Sequence, residues 1–459
     1  MTMTASVHSL APAAFWEAAA AKVLAPAVDA PVRALDVALL GLGHVGSAVA
    51  ALALDPPDSF DLHLHVLGAL VRDVAKPRDH ALDRRVRLSE DPARLFSPRP
   101  DVVIEVLGGL EPARTLVLKA LERGISVVTA NKSLMAAHGD ELLTAAARSG
   151  AALRYEASVL AGVPFLGTFG SRPLAARISR VTGIVNGTSN FILTKMERER
   201  RDFTVALADA QRLGFAEPNP ANDIDGIDAL EKLTVLIRHF ARHSVVPADV
   251  ETTGIGDVQP IDLAHAREFG GALKAVVDAE WTASSVTAFV GPAFVPASNK
   301  LSRIDGVENA VSLFGASTGE LFYSGPGAGP AVTAATILDD VAEVAAGRSQ
   351  VPAGRACSTI PAGSSLPAAA FRLTPDAPST GWFVRLTGET TLPDGVDITD
   401  LLASFGVLLR RISAVDTTTG RPVCYLLTWP TPRPRVERAL AALADATGCT
   451  TGCFRALER

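Results

Sequence analysis

Apolar residues in the first third of the chain alternate between short unbroken runs and longer stretches with helical spacing. Residues 35–40, 62–71 and 101–109 are runs of strand length, the last ending in Gly108 and Gly109. Residues 47–54 and 112–123 space their apolar positions as helices do. A further run, 125–132, closes on Asn131 and Lys132. Strand, helix, strand, helix at these lengths predicts a parallel, doubly wound sheet. Residues 37–54 carry no Asp, Glu, Lys or Arg and have the length of a membrane span. Three glycines in the first half, a strand-like start and the lack of a second such segment argue against a span.

The texture changes from about residue 151. Residues 153–158 and 178–185 read as strands, and Asn186-Gly187-Thr188-Ser189-Asn190 opens a helix in which Ser and Thr act as caps. Residues 254–278 read as largely helical and 286–294 as a strand. Residues 323–330 form a second glycine-rich turn, followed by a helix over 332–346. Five prolines and few charges mark 351–380 as a linker. The final segment reads β-α-β-β-α-β over 382–387, 398–405, 407–415, 423–428, 436–446 and 450–457, a ferredoxin-like layout.

At 459 residues the chain has room for two to four domains. A net charge of −6 gives no basic field for nucleic acid, and no Lys/Arg cluster suggests one. Residues 1–34 are Ala-rich, carry no Lys or Arg before Lys22 and are interrupted by Glu17, so they do not read as a secretory signal. A short helix around 13–24 is expected there. The four cysteines, Cys357, Cys424, Cys449 and Cys453, make a disulfide scaffold improbable, and the last two lack partners at zinc-ligand spacing. These features suit a cytoplasmic enzyme with no membrane or nucleic-acid partner.

Chemistry enters at two places. The 35–40 run leads into Gly41-Leu42-Gly43-His44-Val45-Gly46 and then a helix, which is G-x-G-x-x-G in a strand–turn–helix setting. Such glycines permit a tight turn, close approach of backbone to a pyrophosphate, and close packing of helix on strand. The free N–H groups of the helix start favour phosphate. The second place is 211–236. Pro218 and Pro220 break any helix in its first half, and a helix begins near Ile227. Glu217, Asp223, Asp225 and Asp228 then lie on the loop and the first helical turn, with Lys232 one turn beyond Asp228 on the same face. Taken alone, an Asp–Lys pair at this spacing is a solvated surface ion pair. No cysteine precedes residue 357, so oxidation through a thioester has no nucleophile in this part of the chain. A redox reaction here stops at the alcohol–aldehyde level.

The motifs GLGHVG, TANKSL, YEASVLAGVPF, VNGTSNFILTKM, FAEPNPANDIDGIDALEKL, GVENAV and GPGAGPAVTA, in this order over 36–348, resemble the homoserine dehydrogenases of the monofunctional bacterial type. The C-terminal segment resembles an ACT domain. The resemblance implies a Rossmann dinucleotide-binding domain over 35–150, completed by 305–348, and an α+β catalytic and dimerisation domain over 151–304. An extension (1–34), a linker (349–380) and an ACT-like regulatory domain (381–459) complete the chain. The implied reaction is the reversible, NAD(P)-dependent reduction of L-aspartate 4-semialdehyde to L-homoserine, in threonine, methionine and isoleucine biosynthesis. Lys232 matches the family's proton donor, and Lys132 a second lysine near coenzyme and reacting oxygen. Two lysines facing one site would disfavour each other's protonation and bring one nearer the working pH. Glu217 and Asp228, with Asp223 beside them, match positions that hold the substrate. Gly41, Gly43, His44, Val45, Gly46, Arg72, Gly108, Gly109, Lys132, Gly327 and Gly329 are the expected coenzyme contacts.

Glu156, with the backbones of Val159, Ala161 and Val163, matches a site for a monovalent cation, Na+ or K+. Arg72, Lys76 and Arg78 against Asp73 favour NADP(H) over NAD(H). Asn219 and Asn222 stand where the family commonly has Asp, so the acidic cluster is thinned. The resemblance also implies a homo-oligomer, dimer or tetramer, and threonine as an effector. Removal of 381–459 should leave an active enzyme that no longer responds to it. Two alternatives are a related reductase of another small amino alcohol and a non-catalytic amino-acid sensor. Retention of Glu217, Asp228, Lys132 and Lys232 together argues against the second.

Overall fold

The uncharged stretch near the N-terminus splits into a strand, β1 (Ala34–Leu40), and a helix, α1 (His44–Leu54). The computed structural model describes residues 34–57, 60, 62–77, 82, 84–170, 172, 174–175, 177–241, 244–347, 372–373, 380–389, 395–418 and 420–457. No helix among them is long and apolar enough to cross a membrane. The helix expected around 13–24, Arg78, Cys357, most of the linker and residues 392–394 lie outside the described residues.

Strands β2 (His63–Leu70), β3 (Leu88–Ser89), β4 (Val102–Glu105), β5 (Ser126–Thr129) and β6 (Leu153–Arg154) join β1 in one sheet. Its order is β3-β2-β1-β4-β5-β6, and every pairing is parallel. This is the Rossmann order, with the chain direction of travel reversing between β1 and β4. Val37, Leu39, Val102 and Ile104 are buried on one side and Ala38, Leu40 and Val103 on the other, which is why these strands read as unbroken apolar runs. Helices α2 (Ala113–Glu122) and α3 (Lys132–Ser149) follow β4 and β5. Ligands in such sheets bind at the strand C-termini beside the reversal, here the ends of β1 and β4.

The second sheet contains β7 (Ile178–Ile184), β9 (Gly271–Trp281), β10 (Ser285–Pro296), β11 (Glu308–Gly315) and β12 (Gly319–Pro326), in antiparallel order β12-β11-β7-β9-β10. Two short strands, β8 (Glu251–Thr252) and β13 (Arg372–Leu373), also pair with β10. Helices α4 (Gly187–Glu199), α5 (Phe203–Arg212), α6 (Ala221–Ile224), α7 (Ile227–Ala241) and α8 (Pro260–Glu268) belong to this half.

Four expectations need correction. Residues 254–278 are not largely helical: α8 is short, Gly270 ends it at φ +81°, and β9 follows. Because β9 lies between β7 and β10 with both faces buried, it has no alternation to distinguish it from a buried helix. Of 153–158, only two residues form a strand, since the Glu156 backbone N–H turns to Asp340 (3.0 Å) and leaves the ladder. Tyr323 to Pro326 are strand, so the glycine turn shrinks to 327–329. Residues 308–326 belong to the second sheet, where β11 pairs with β7 and β12 with β11, and only helix α9 (Pro330–Ala345) returns to the first domain. There Ala334, Ile337, Leu338 and Val341 pack with Val49, Ala50 and Ala53 of α1.

The C-terminal segment forms β14 (Gly381–Thr387), α10 (Gly395–Ser404), β15 (Leu409–Ile412), β16 (Val423–Thr428), α11 (Arg433–Thr447) and β17 (Thr450–Ala456), with strand order β17-β14-β16-β15. Numbered within the segment this is 4-1-3-2, as expected of a ferredoxin-like unit. It is not a detachable bead. β17 pairs with β10 and extends the second sheet, and Phe383 packs between Phe269, Phe294 and Tyr425. Asp262 of α8, fully buried, receives Arg385 Nη1 (2.5 Å) and the Tyr425 hydroxyl (2.7 Å). Truncation at 381 would strip an apolar face and leave a buried carboxylate without its cation, so the truncated enzyme is not expected to remain intact.

Candidate active site

The glycine turn fits a dinucleotide. Gly41 has φ +109°, and a Cβ on it would lie 2.8 Å from the Val106 carbonyl; a Cβ on Gly46 would strike the Gly41 carbonyl. Nothing lies within 4 Å of a Cβ built on Gly43, the N-cap of α1, which makes no side-chain capping bond. The turn is therefore closed toward the protein and open where phosphates would meet unsatisfied N–H groups. Gly108 and Gly109, with φ +74° and +70°, form a second open-faced loop at the end of β4. His44 is exposed and Val45 half-buried beside it. Arg72 is exposed immediately beyond β2, and the Asp73 carboxylate accepts the Ala75 N–H (2.8 Å). Gly327 is explained within the protein, because a side chain there would overlap Asn309 and its carbonyl accepts the Ala161 N–H (3.0 Å). Gly329 N-caps α9.

The two halves of the molecule meet at Asp228. Helix α7 lies along α3, with Arg238 of α7 donating to the Met135 and Ala136 carbonyls and to Asp140 of α3. That packing brings Lys132, the first residue of α3, opposite the first turn of α7. Lys132 Nζ lies 3.2 Å from Asp228 Oδ1, and Lys232 Nζ lies 2.9 Å from Asp228 Oδ2. Lys232 also donates to the Val185 carbonyl (2.7 Å). The Asp–Lys pair at i,i+4 is thus buried, not a solvated helix surface. Lys132 keeps about a third of its side chain exposed, at 35%.

Asn186 is the residue that sequence reasoning missed. Its side-chain amide donates to Asp223 Oδ1 (2.7 Å) and to Asp228 Oδ2 (2.8 Å), while its oxygen N-caps α4 through Ser189 N (2.8 Å). The motif Val-Asn-Gly-Thr-Ser-Asn announced only a helix start; that the cap also reaches two acids 37 and 42 residues away is a tertiary fact. Asp223 is half-buried, whereas Glu217 and Asp225 are exposed. A cleft beside Asp223 is lined by Val185, Ser189, Thr253 and Gly291.

Charge follows from this geometry. Burial resists ionisation of Asp228, but Lys232 and Lys132 outweigh it and hold its carboxyl below the ordinary value. Burial alone would depress Lys132, yet Asp228, Glu231 and Asp223 raise it above the ordinary lysine range. The expected mutual suppression of the two lysines is overturned for Lys132, because a carboxylate stands between them. Asp223 is raised by burial and by the like charge of Asp228, against the hydrogen bond of Asn186.

Glu156 accepts the backbone N–H groups of Phe165 (2.7 Å), Leu166 (2.8 Å) and Gly167 (2.6 Å), and the Ala161 carbonyl accepts the Thr336 hydroxyl. The described cysteines, Cys424, Cys449 and Cys453, are unpaired and all lie in the C-terminal unit.

The family model described as homoserine dehydrogenase matches residues 164–342, and that of the homoserine dehydrogenase NAD-binding domain matches 41–156. The homoserine dehydrogenase of Bacillus subtilis is 38% identical over 320 residues, covering 68% of this chain and 73% of that protein. This chain belongs to the homoserine dehydrogenase family. The structure of a homoserine dehydrogenase from Thiobacillus denitrificans superposes with a TM-score of 0.80 at 31% identity, covering 93% of this chain and 98% of that one. A hyperthermophilic archaeal homoserine dehydrogenase in complex with NADPH superposes with a TM-score of 0.58 at 28% identity, covering 69% and 98%.

As a homoserine dehydrogenase the chain is an oxidoreductase that interconverts L-homoserine and L-aspartate 4-semialdehyde with a nicotinamide coenzyme, a step of amino-acid biosynthesis. An alcohol–aldehyde interconversion matches a site whose described residues include no thiol. The alternative substrates and the sensor reading fall away with this assignment.

Asp228 sets a pH dependence of stability. Its folded-state pKa lies below the unfolded value of about 3.9, so its contribution is present above that pH and is lost as pH falls through the folded pKa. Asp228→Asn should therefore destabilise the protein by about 3 kcal/mol at pH 7, leaving Lys232 buried without its counterion. In urea unfolding the gap to wild type should narrow below about pH 3.9. An unchanged gap at pH 3 would contradict the ion-pair account.

Proposed function

We propose that Lys232 passes the proton to the carbonyl oxygen of aspartate semialdehyde and that Lys132, held as an ammonium, stabilises negative charge developing on that oxygen. The observation that carries this reading is the shared Asp228, which fixes both lysines at one point between the coenzyme loops and the acidic loop. Bound coenzyme supplies the hydride. Both oxygens of Asp228 are engaged by Lys132, Lys232 and Asn186, so its main work is to place the lysines. The substrate ammonium then falls to the exposed Glu217 and to Asp223, whose carboxylates suit it as counterions.

Lys232→Ala should lower kcat by roughly 10² to 10⁴, with a smaller effect on coenzyme affinity. Steady-state NADPH consumption with aspartate semialdehyde measures this. A near-normal kcat with only a raised KM would move Lys232 to substrate binding.

We infer NADP(H) as the preferred coenzyme. Arg72 projects from the end of β2, where a 2′-phosphate would lie, and Asp73 already spends one oxygen on its own turn. Arg72→Ala should raise KM for NADPH about tenfold more than KM for NADH, roughly the worth of one charge-assisted contact. Equal changes would sink the assignment.

The Val159, Ala161 and Val163 carbonyls would be the ligands of a monovalent cation; the Glu156 carboxylate serves the amides of 165–167 and shapes the loop around them. We place the enzyme in the cytoplasm as a homo-oligomer, and we propose threonine as an effector acting through the C-terminal unit. Its supporting feature is the junction at which Arg455 and Arg433 bind Glu251, two residues before the Thr253 that borders the substrate cleft. Coupling of ~1–3 kcal/mol corresponds to a rise of roughly fivefold or more in the KM for homoserine with saturating threonine. Because the unit cannot be cleanly removed, the control is Arg455→Ala, which should blunt the response. An intact enzyme indifferent to threonine would refute the effector role.

A further inference from the structure

We propose that Glu105 is a positioning residue for the dehydrogenase reaction, tying the open loop at 107–109 and the start of α3 into one piece, so that coenzyme contact and Lys132 placement are set together. The inference rests on the homoserine dehydrogenase reading and extends it to a residue which neither coenzyme nor substrate need touch.

Glu105 closes β4 and has no solvent exposure. Among the described residues no cation pairs with it; its partners are neutral donors. Oε1 accepts the Leu107 N–H (2.8 Å) and the Asn131 side-chain amide (3.3 Å), and Oε2 accepts the Thr129 hydroxyl (2.5 Å). Burial pushes the carboxyl above the ordinary glutamate range, against these bonds and one from the Gly108 backbone. A buried carboxylate without a counterion is costly, and its retention calls for a task that a neutral residue would do less well.

The connectivity shows what that task is. The Asn131 side-chain oxygen N-caps α3 by accepting the Leu134 N–H (3.0 Å), its amide donates to the Gly109 carbonyl (2.7 Å), and its backbone N–H donates to the Thr129 hydroxyl oxygen (3.0 Å). Glu105, Thr129, Asn131, Leu107 and Gly109 therefore form a closed ring across the ends of β4 and β5. On one side of the ring lie Gly108 and Gly109, both at positive φ with open faces. On the other, one residue beyond the cap, is Lys132 with its bond to Asp228. Four donors converge on one carboxylate, and only an acceptor with two oxygens can hold both walls at once.

The test is Glu105→Gln, which keeps the volume but turns an NH₂ toward at least one donor. It should raise the coenzyme KM and lower kcat together, each by about tenfold or more, since small displacements of positioned groups cost about 10²-fold in rate. The KM for homoserine should stay within about twofold, because the acidic loop is untouched. Thr129→Val removes one strut and should move the same two parameters less. The double variant should fall short of the product of the singles, as members of one network do. Coenzyme Kd on the unreacted protein, read by fluorescence, should rise with KM, and this holds even if aspartate semialdehyde proves not to be the substrate. Folded variants with coenzyme Kd and kcat within twofold of wild type would overturn the proposal. So would a loss of thermal stability alone. If Glu105→Gln does not fold, the same two readouts on Thr129→Val decide it.

Discussion

One carboxylate between two ammonium groups holds the site together. Asp228 belongs to a helix of the second domain, Lys132 to a helix of the first, and their contact is the point where the coenzyme half and the substrate half become one site. A buried acid is tolerable only because both oxygens are filled, and the lysines are tolerable only because the acid lies between them. Removing the acid leaves two cations facing each other without a counterion, whereas removing either lysine leaves a balanced pair. The long packing of α3 on α7, with Arg238 clasping Asp140 and two carbonyls, exists in this frame to keep that triangle closed.

The same economy recurs one layer out. Asn186 spreads two acids apart with the two hydrogens of a single amide, while its oxygen starts a helix. Glu105 gathers neutral donors beneath the coenzyme loop. In the C-terminal unit, Asp262 holds Arg385 and Tyr425 at a domain junction. Each case places a polar group in a dry interior where every lone pair or hydrogen finds a partner, so geometry is fixed at the cost of tolerance to substitution.

Local chemistry made much of this legible in the sequence. The turn Gly41–Gly46 follows from a strand running into a helix, and Asp228 and Lys232 share a face because four residues make about one turn. The C-terminal strands β14 and β16, buried almost throughout, are readable as short apolar runs between polar turns, and the helices by their repeat. What was not legible depends on contacts far apart in the chain. β9 looked helical because a central strand buried on both faces carries no period-two signal. Residues 308–326 looked like part of the coenzyme domain because the helix after them is, although β11 pairs with β7 and β12 with β11. The expectation that paired lysines would suppress each other failed for Lys132 because proximity was foreseen but the intervening acid was not. Asn186 signalled only a helix start and Glu105 nothing beyond a strand end, since a buried amide and a buried glutamate acquire their further meaning through partners brought in by folding.

The central claim is that Asp228 keeps Lys132 protonated at the meeting point of the two domains. The direct measurement is the titration of the Lys132 ε-methylene carbon by NMR, assigned by loss of its signal in Lys132→Arg, in wild type and in Asp228→Asn. The account predicts that Lys132 titrates above an ordinary lysine, near 10.4, in the wild type, and that its pKa falls when the carboxylate is removed and burial is opposed only by Glu231 and Asp223. A wild-type Lys132 that titrates below the ordinary range, or one that Asp228→Asn leaves unmoved, would contradict it.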